Sequence, residues 1–167
     1  MFSAFKRSSH QISIFHNHSS PPSIKALALL QAALSSPYPP NTASRSPLKF
    51  DLEVIEHPPT ADQIRTILSY LPAPASTHKQ DNVASFISSH PSAPELPERP
   101  HSPEGLVRLA ERSPNALKWP VVVDWTGGRA VVGEVEGVTQ ILEILRQKRD
   151  GELQEGNDEY SPKGWFS

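Results

Sequence analysis

Residues 120–125 read Pro-Val-Val-Val-Asp-Trp, an almost unbroken apolar run with no alternation of polar and apolar side chains. A strand with one apolar and one polar face can lie at a surface, but one that is apolar at successive positions must be covered on both sides. The chain therefore needs a sheet with a layer above and a layer below, and amphipathic segments to build those layers. Thr126-Gly127-Gly128 reads as a tight turn, and residues 129–132 (RAVV) return as the hairpin partner of the buried strand.

The other segments supply the layers. Residues 11–15 (QISIF) alternate as a short strand does, residues 16–23 form a loop, and residues 24–34 read as a helix with Ile24, Leu27, Ala28 and Leu34 sharing much of one face. A Pro/Ser-rich connection, 35–49, leads to a second strand at 50–55 (FDLEVI). Thr60-Ala-Asp-Gln63 fits a capping box, and Ile64, Ile67, Leu68 and Leu71 follow at the spacing of one buried helix face. Ser102-Pro103-Glu104 places an N-cap, a first-position proline and a first-turn acid in order, opening a helix to about residue 112. A final helix over 134–149 has Val135, Val138, Leu142 and Leu145 on one face and Arg146, Lys148 and Arg149 at its end, where cations complement the helix dipole. Residues 71–103 hold seven prolines and few large apolar side chains, and read as an irregular insertion with a short helix near 83–87. A βαβ unit followed by a ββα unit predicts an α/β fold: a four-stranded mixed sheet flanked by helices, carrying a Pro-rich insertion at 72–103. The division is a basic segment 1–10, a domain 11–149 and a polar tail 150–167.

Several function classes are excluded by composition. No apolar run approaches the roughly 18 residues of a membrane span, and a net charge of −2 offers no basic footprint for nucleic acid. With no cysteine, the chain has no disulfide framework, no thiolate metal site and no thiol nucleophile. Charge is unevenly placed: five of the sixteen Lys and Arg, but none of the eighteen Asp and Glu, fall in the first fifty residues. An acid-free, Ser-rich, basic start is similar to a mitochondrial presequence, and it also arises by chance in a Ser/Pro-rich chain; composition leaves both open.

Three stretches carry a family resemblance. His16-Asn17 after a strand, with a short loop and Ser23 opening a helix, resembles the His-Asn-…-Cys-…-Ser loop of arsenate reductases. Glu56-His-Pro-Pro-Thr-Ala-Asp-Gln-Ile-Arg65 is similar to the Pro-Pro-Thr helix start of that family, and Trp119-Pro-Val-Val-Val-Asp-Trp125 with Ala130-Val-Val-Gly133 resembles its Arg-Pro-strand hairpin. The opening residues, the Val-Asp-Trp strand and the interrupted middle resemble a narrower group, a fungal family described as mitochondrial redox proteins with a thioredoxin fold. The resemblance implies a thioredoxin-like, arsenate-reductase-like domain, a mitochondrial location and an oxidoreductase role. It also exposes departures. Ser20 stands where the family has its nucleophilic cysteine, Ser23 matches the serine at the helix start, Lys25 is the one cation near the family's loop arginine, and Trp119 replaces the arginine before the proline.

The loop invites sharper readings, each with a plainer rival. Ser20 could be a nucleophile activated by His16 or His18, but no acid lies nearby in sequence to orient a histidine, and Ser19, Ser20 and Ser23 serve equally as loop and cap residues. His16-Asn17-His18 could ligate a metal, yet His57, His78, His90 and His101 suggest no third ligand. The loop's backbone could hold an anion, a reading weakened by the two donors that Pro21 and Pro22 remove. No dinucleotide-type Gly-rich turn appears, so no cofactor is expected. Trp119-Pro120 is the expected cis-proline of the fold, and the strand edge there offers backbone groups to an extended peptide. Two functions follow: the redox role implied by the resemblance, or a redox-inactive module that binds a protein or peptide partner through the groove at Trp119 and Pro120.

Overall fold

Residues 10–41, 45–72, 79–95 and 98–152 are described by the structure, a computed structural model. The basic segment up to residue 9, the tail from residue 153, and positions 73–78 and 96–97 of the Pro-rich stretch lie outside the described residues.

The valine run becomes β3 (Val121–Asp124), buried along its whole length. Its neighbours are β1 (His10–Phe15) and β4 (Arg129–Val132), with β2 (Phe50–Ile55) beyond β1, so the sheet order is β2-β1-β3-β4. β1 is parallel to β2, with Phe15 opposite Ile55. It is antiparallel to β3, with Phe15 opposite Val121, and β3 is antiparallel to β4, with Val121 opposite Val132. This is the α/β class and the mixed four-stranded sheet that the element order implied. His10 is already part of β1, so the domain begins inside the segment set apart as 1–10.

The period of two along each strand sorts side chains onto two faces. Ile12, Ile14 and Val122 point to one side, beneath α1 (Pro21–Ser35) and α4 (Val135–Arg149), where they meet Ala26, Leu30, Val138 and Leu142. Phe15, Val121 and Val123 point to the other, beneath α2 (Ala61–Tyr70) and α3 (Pro103–Arg112), against Ile64, Ile67, Leu106 and Leu109. Both predicted helix starts have their caps. Thr60 accepts from Gln63 N–H while the Gln63 side chain accepts from Thr60 N–H, and Ser102 Oγ accepts from Gly105 N–H at 3.1 Å.

α1 turns a different face inward from the one its largest side chains indicated. Ser23, Ala26, Leu30 and Ala33 are buried, while Ile24 is 51% exposed and Ala28 is exposed. The reason is at the first turn, where Ser23 is drawn in by hydrogen bonds to the strand end, and the small Ala26 and Ala33 then let the helix lie close to the sheet. In α4 the buried set is Gly137, Val138, Ile141, Leu142 and Leu145, with Val135 only half-buried. A Cβ on Gly137 would sit 2.5 Å from a methyl of Val131, so that glycine permits the close contact of α4 with β4.

The described part of the Pro-rich stretch is built into the core. A 3-10 helix, Lys79–Phe86, presents Val83, Phe86 and Ile87, at most 4% exposed, to the α2/α3 side. Ile87 forms an antiparallel bridge with Leu117, flanked by Lys118 N–H donating to Phe86 C=O at 2.7 Å and Ser88 N–H to Ala116 C=O at 2.8 Å. Among the described residues no helix is long and apolar enough to cross a membrane.

Candidate functional site

Parallel pairing of β1 with β2 brings the residues after both strands to the same end of the sheet. His16 follows Phe15, Glu56 follows Ile55, and His16 N–H donates to Ile55 C=O at 2.7 Å. On the other side, the antiparallel register of β1 and β3 sets Pro120, just before Val121, next to His16. The loop of Ser20, the residue Glu56 and the Trp119–Pro120 bond thus converge.

Ser23, rather than Ser20, ties the loop to the fold. Its Oγ accepts from Asn17 N–H at 3.0 Å and is hydrogen-bonded to His16 Nδ1 at 2.7 Å. Asn17 Oδ1 accepts from Ser19 N–H at 2.9 Å, and Asn17 C=O accepts from Ser20 N–H at 3.0 Å, which closes the loop over its own backbone. Ser20 is the N-cap of α1 by position, but its side chain makes no capping bond. Pro21 and Pro22 explain this: neither has an N–H, so the helix start has fewer orphan donors to satisfy.

His16 is 4% exposed. Burial, then the neighbouring His18, push its pKa below the usual histidine value, opposed by Glu56 and by hydrogen bonding at Ser23. His18 meets His16 edge to face with ring centres 4.8 Å apart, and its Nε2 lies 2.5 Å from Glu56 Oε1. No acid lies near these histidines in sequence, and the fold supplies one from the end of β2. The signal was legible: two strands predicted to be parallel neighbours must bring their C-terminal ends together.

Chemically, the neutral His16 beside the Ser23 hydroxyl has the spacing of a base and a nucleophile. Ser23 is fully buried, however, so no substrate reaches it. His18 and Glu56 are accessible, but no group of three His, Asp or Glu among the described residues could hold a metal. His57 Nδ1 is hydrogen-bonded to Pro58 C=O at 2.9 Å and His90 Nδ1 to Ser92 Oγ at 2.8 Å, and His78 lies outside the described residues.

The Trp119–Pro120 bond is cis. Trp119 is 7% exposed, with Nε1–H donating to Pro114 C=O at 2.8 Å, and Pro120 C=O accepts from Gly133 N–H at 2.7 Å. Residues 86–88 pair with the backbone of 116–118, just before this bond. What the loop end offers to solvent is His18, Ser19, Pro21, Pro22, Ile24 and Lys25.

At the opposite end of the sheet, Asp124 is 1% exposed. Its carboxylate receives Gly127 N–H at 2.9 Å, lies 3.2 Å from His10 Nδ1, and is 4.0 Å from Arg129. Desolvation works to raise its pKa, but the hydrogen bonds to His10 and Gly127 and the charges of His10 and Arg129 outweigh it and hold the carboxyl below the usual range. This cluster clamps the β3–β4 turn onto the start of β1.

Residues 2–133 match the family described as "Protein of unknown function (DUF1687)". No curated protein matches the chain. Among solved structures it is similar to an arsenate reductase from Vibrio cholerae, at 19% identity over 82% of this chain and 99% of that one, with a TM-score of 0.46. It is also similar to a candidate arsenate reductase from Yersinia pestis, at 20% identity over 79% of this chain and 98% of that one, with a TM-score of 0.41.

Proposed function

The chain belongs to the DUF1687 family, and we propose that it acts there as a redox-inactive, thioredoxin-like binding module of mitochondria, which recognises a protein or peptide partner instead of reacting with a disulfide. The observation that carries this reading is the absence of cysteine from the chain, with Ser20 at the place where the resembled family has its thiol. Thiol–disulfide exchange needs a thiolate to attack and a sulfur to carry the mixed disulfide. A serine hydroxyl does neither. The redox role implied by the resemblance would need a thiol from elsewhere.

The partner surface in this reading is the loop end, where Pro21, Pro22 and the 51% exposed Ile24 stand beside the His18–Glu56 pair. An apolar side chain held on the first turn of a helix, flanked by prolines that lose little entropy on binding, suits an anchor for a partner. The mitochondrial part of the proposal rests on the resemblance and on the acid-free first fifty residues.

A photo-crosslinking residue at Ile24, compared with one at the exposed Glu111 of α3, tests the surface. The expected result is a discrete partner adduct from position 24 that unlabelled wild-type chain competes away and unlabelled Ile24→Asp does not. Equal adducts from both positions would refute it. Full-length chain carrying a C-terminal fluorescent reporter should colocalise with mitochondria, and a cytosolic signal would remove that part of the proposal.

A further inference from the structure

The two edges of the sheet are not alike. β2 carries Asp51 and Glu53 on exposed positions, and charged side chains along an edge discourage pairing with another chain. β4 is Arg-Ala-Val-Val, with no proline and no acid. Among the described residues it is the last strand on its side. A cavity of about 400 Å³ runs beside it, lined on both of its faces by Leu68, Leu71, Val131, Val132 and Gly137.

Register fixes which backbone groups of β4 face outward. Gly133 N–H donates to Pro120 C=O, so Gly133 and Pro120 form a hydrogen-bonded pair. In an antiparallel ladder such pairs alternate with pairs that exchange no bonds. Val131 with Val122, and Arg129 with Asp124, are therefore bonded inward, and the N–H and C=O of Ala130 and Val132 point away from β3.

We propose that β4 is a self-association edge and that its occupant is β4 of a second copy, antiparallel about a two-fold axis through Val131. This pairing sets Ala130 of each copy opposite Val132 of the other, and it is the register that uses every outward donor and acceptor of both residues. A two-fold through Ala130 or through Val132 would leave half of them facing turn or helix-start residues. The same register sets Arg129 of one copy opposite Gly133 of the other at both ends of the seam. The two sheets then continue across the interface.

The test is sedimentation of the full chain from low to high micromolar concentration. The expected wild-type species has twice the 18.4 kDa chain mass. Val132→Pro removes an outward N–H that β3 does not use, so it should give a folded monomer; proline is tolerated on an edge where its missing donor faces away. Ala130→Pro removes the other outward N–H and should likewise give a folded monomer with unchanged circular dichroism. This second variant keeps the test decisive if Val132→Pro fails to fold. Amide exchange adds a positional readout: Ala130 and Val132 should slow with rising concentration, and Val131 should not change. A monomer across the whole range, a folded Val132→Pro dimer, or a folded Ala130→Pro dimer would each overturn the proposal.

Discussion

Replacing Ser23 by alanine should destabilise the protein far more than the same change at Ser20, although Ser20 occupies the place of the resembled family's nucleophile. Ser23 Oγ satisfies Asn17 N–H at 3.0 Å and His16 Nδ1 at 2.7 Å, inside a site where Ser23 is fully buried and His16 nearly so. Alanine leaves both groups without that partner. Stranding a buried polar group costs about 1–3 kcal/mol, and the half-buried Asn17 N–H adds the roughly 1 kcal/mol of an ordinary hydrogen bond. The expected loss is about 2–4 kcal/mol, a large part of the roughly 5–15 kcal/mol that holds a domain folded. At Ser20 no side-chain bond is lost, and an ordinary surface change stays within about 0.5 kcal/mol. Urea unfolding followed by tryptophan fluorescence and by circular dichroism, with equal m-values for the two variants, measures the difference. Equal losses at Ser20 and Ser23, or a Ser23 loss below about 1 kcal/mol, would refute the claim that the His16–Ser23–Asn17 unit anchors the loop.

The remaining expectations concern charge, packing and chemistry. Asp124 has its carboxyl pKa depressed in the folded state, so its contribution is present above the unfolded value of about 3.9 and is lost as pH falls through the folded one; Asp124→Asn should flatten the acid limb of stability against pH, and an unchanged limb would count against the clamp. Gly137→Ala drives a Cβ into Val131 and should cost about 1–3 kcal/mol in thermal or urea unfolding. Ser20→Cys should yield a folded protein whose thiol titrates below the free value of about 8.5, because it sits at the start of α1; alkylation rates against pH report this, and a value at or above the free one would contradict the placement. The wild-type chain should reduce neither insulin nor a glutathione-type disulfide above background.

Most of the architecture could be read from sequence because the signals were local. The β3 run, the Thr60–Gln63 capping box and the Ser102-Pro103 helix start each contain their own reason for forming. What misled was information held elsewhere in the chain. In sequence, Ile24, Leu27, Ala28 and Leu34 mark one face of α1, yet the buried face is set by Ser23 reaching His16 at the end of β1. Residues 71–103 read as an irregular insertion with only a short helix near 83–87 because proline dominates them, while Val83, Phe86 and Ile87, spaced by three and one, are the core signal inside that noise. Glu56 was missed as the partner of His18 because 38 positions separate them, and only the strand pairing makes them neighbours. The cis bond at Trp119–Pro120 is legible from its place before the buried strand, whereas the pairing of residues 86–88 with 116–118 just ahead of it is not.

The middle position of β1 also has a consequence for synthesis. β1 is hydrogen-bonded to β2 on one side and β3 on the other, and its first residue meets Asp124 across 114 positions of chain. At roughly 5–20 residues per second, a ribosome finishes β3 some 6–20 seconds after β1. In that interval Ile12, Ile14 and Phe15 have one strand neighbour at most, and Ile12 and Ile14 lack their lid from α4, which is made later still. A segment that ends deep in the molecule is the one that waits longest in the open, so the burden of keeping this protein from aggregating falls on whatever holds the nascent chain rather than on its finished surface.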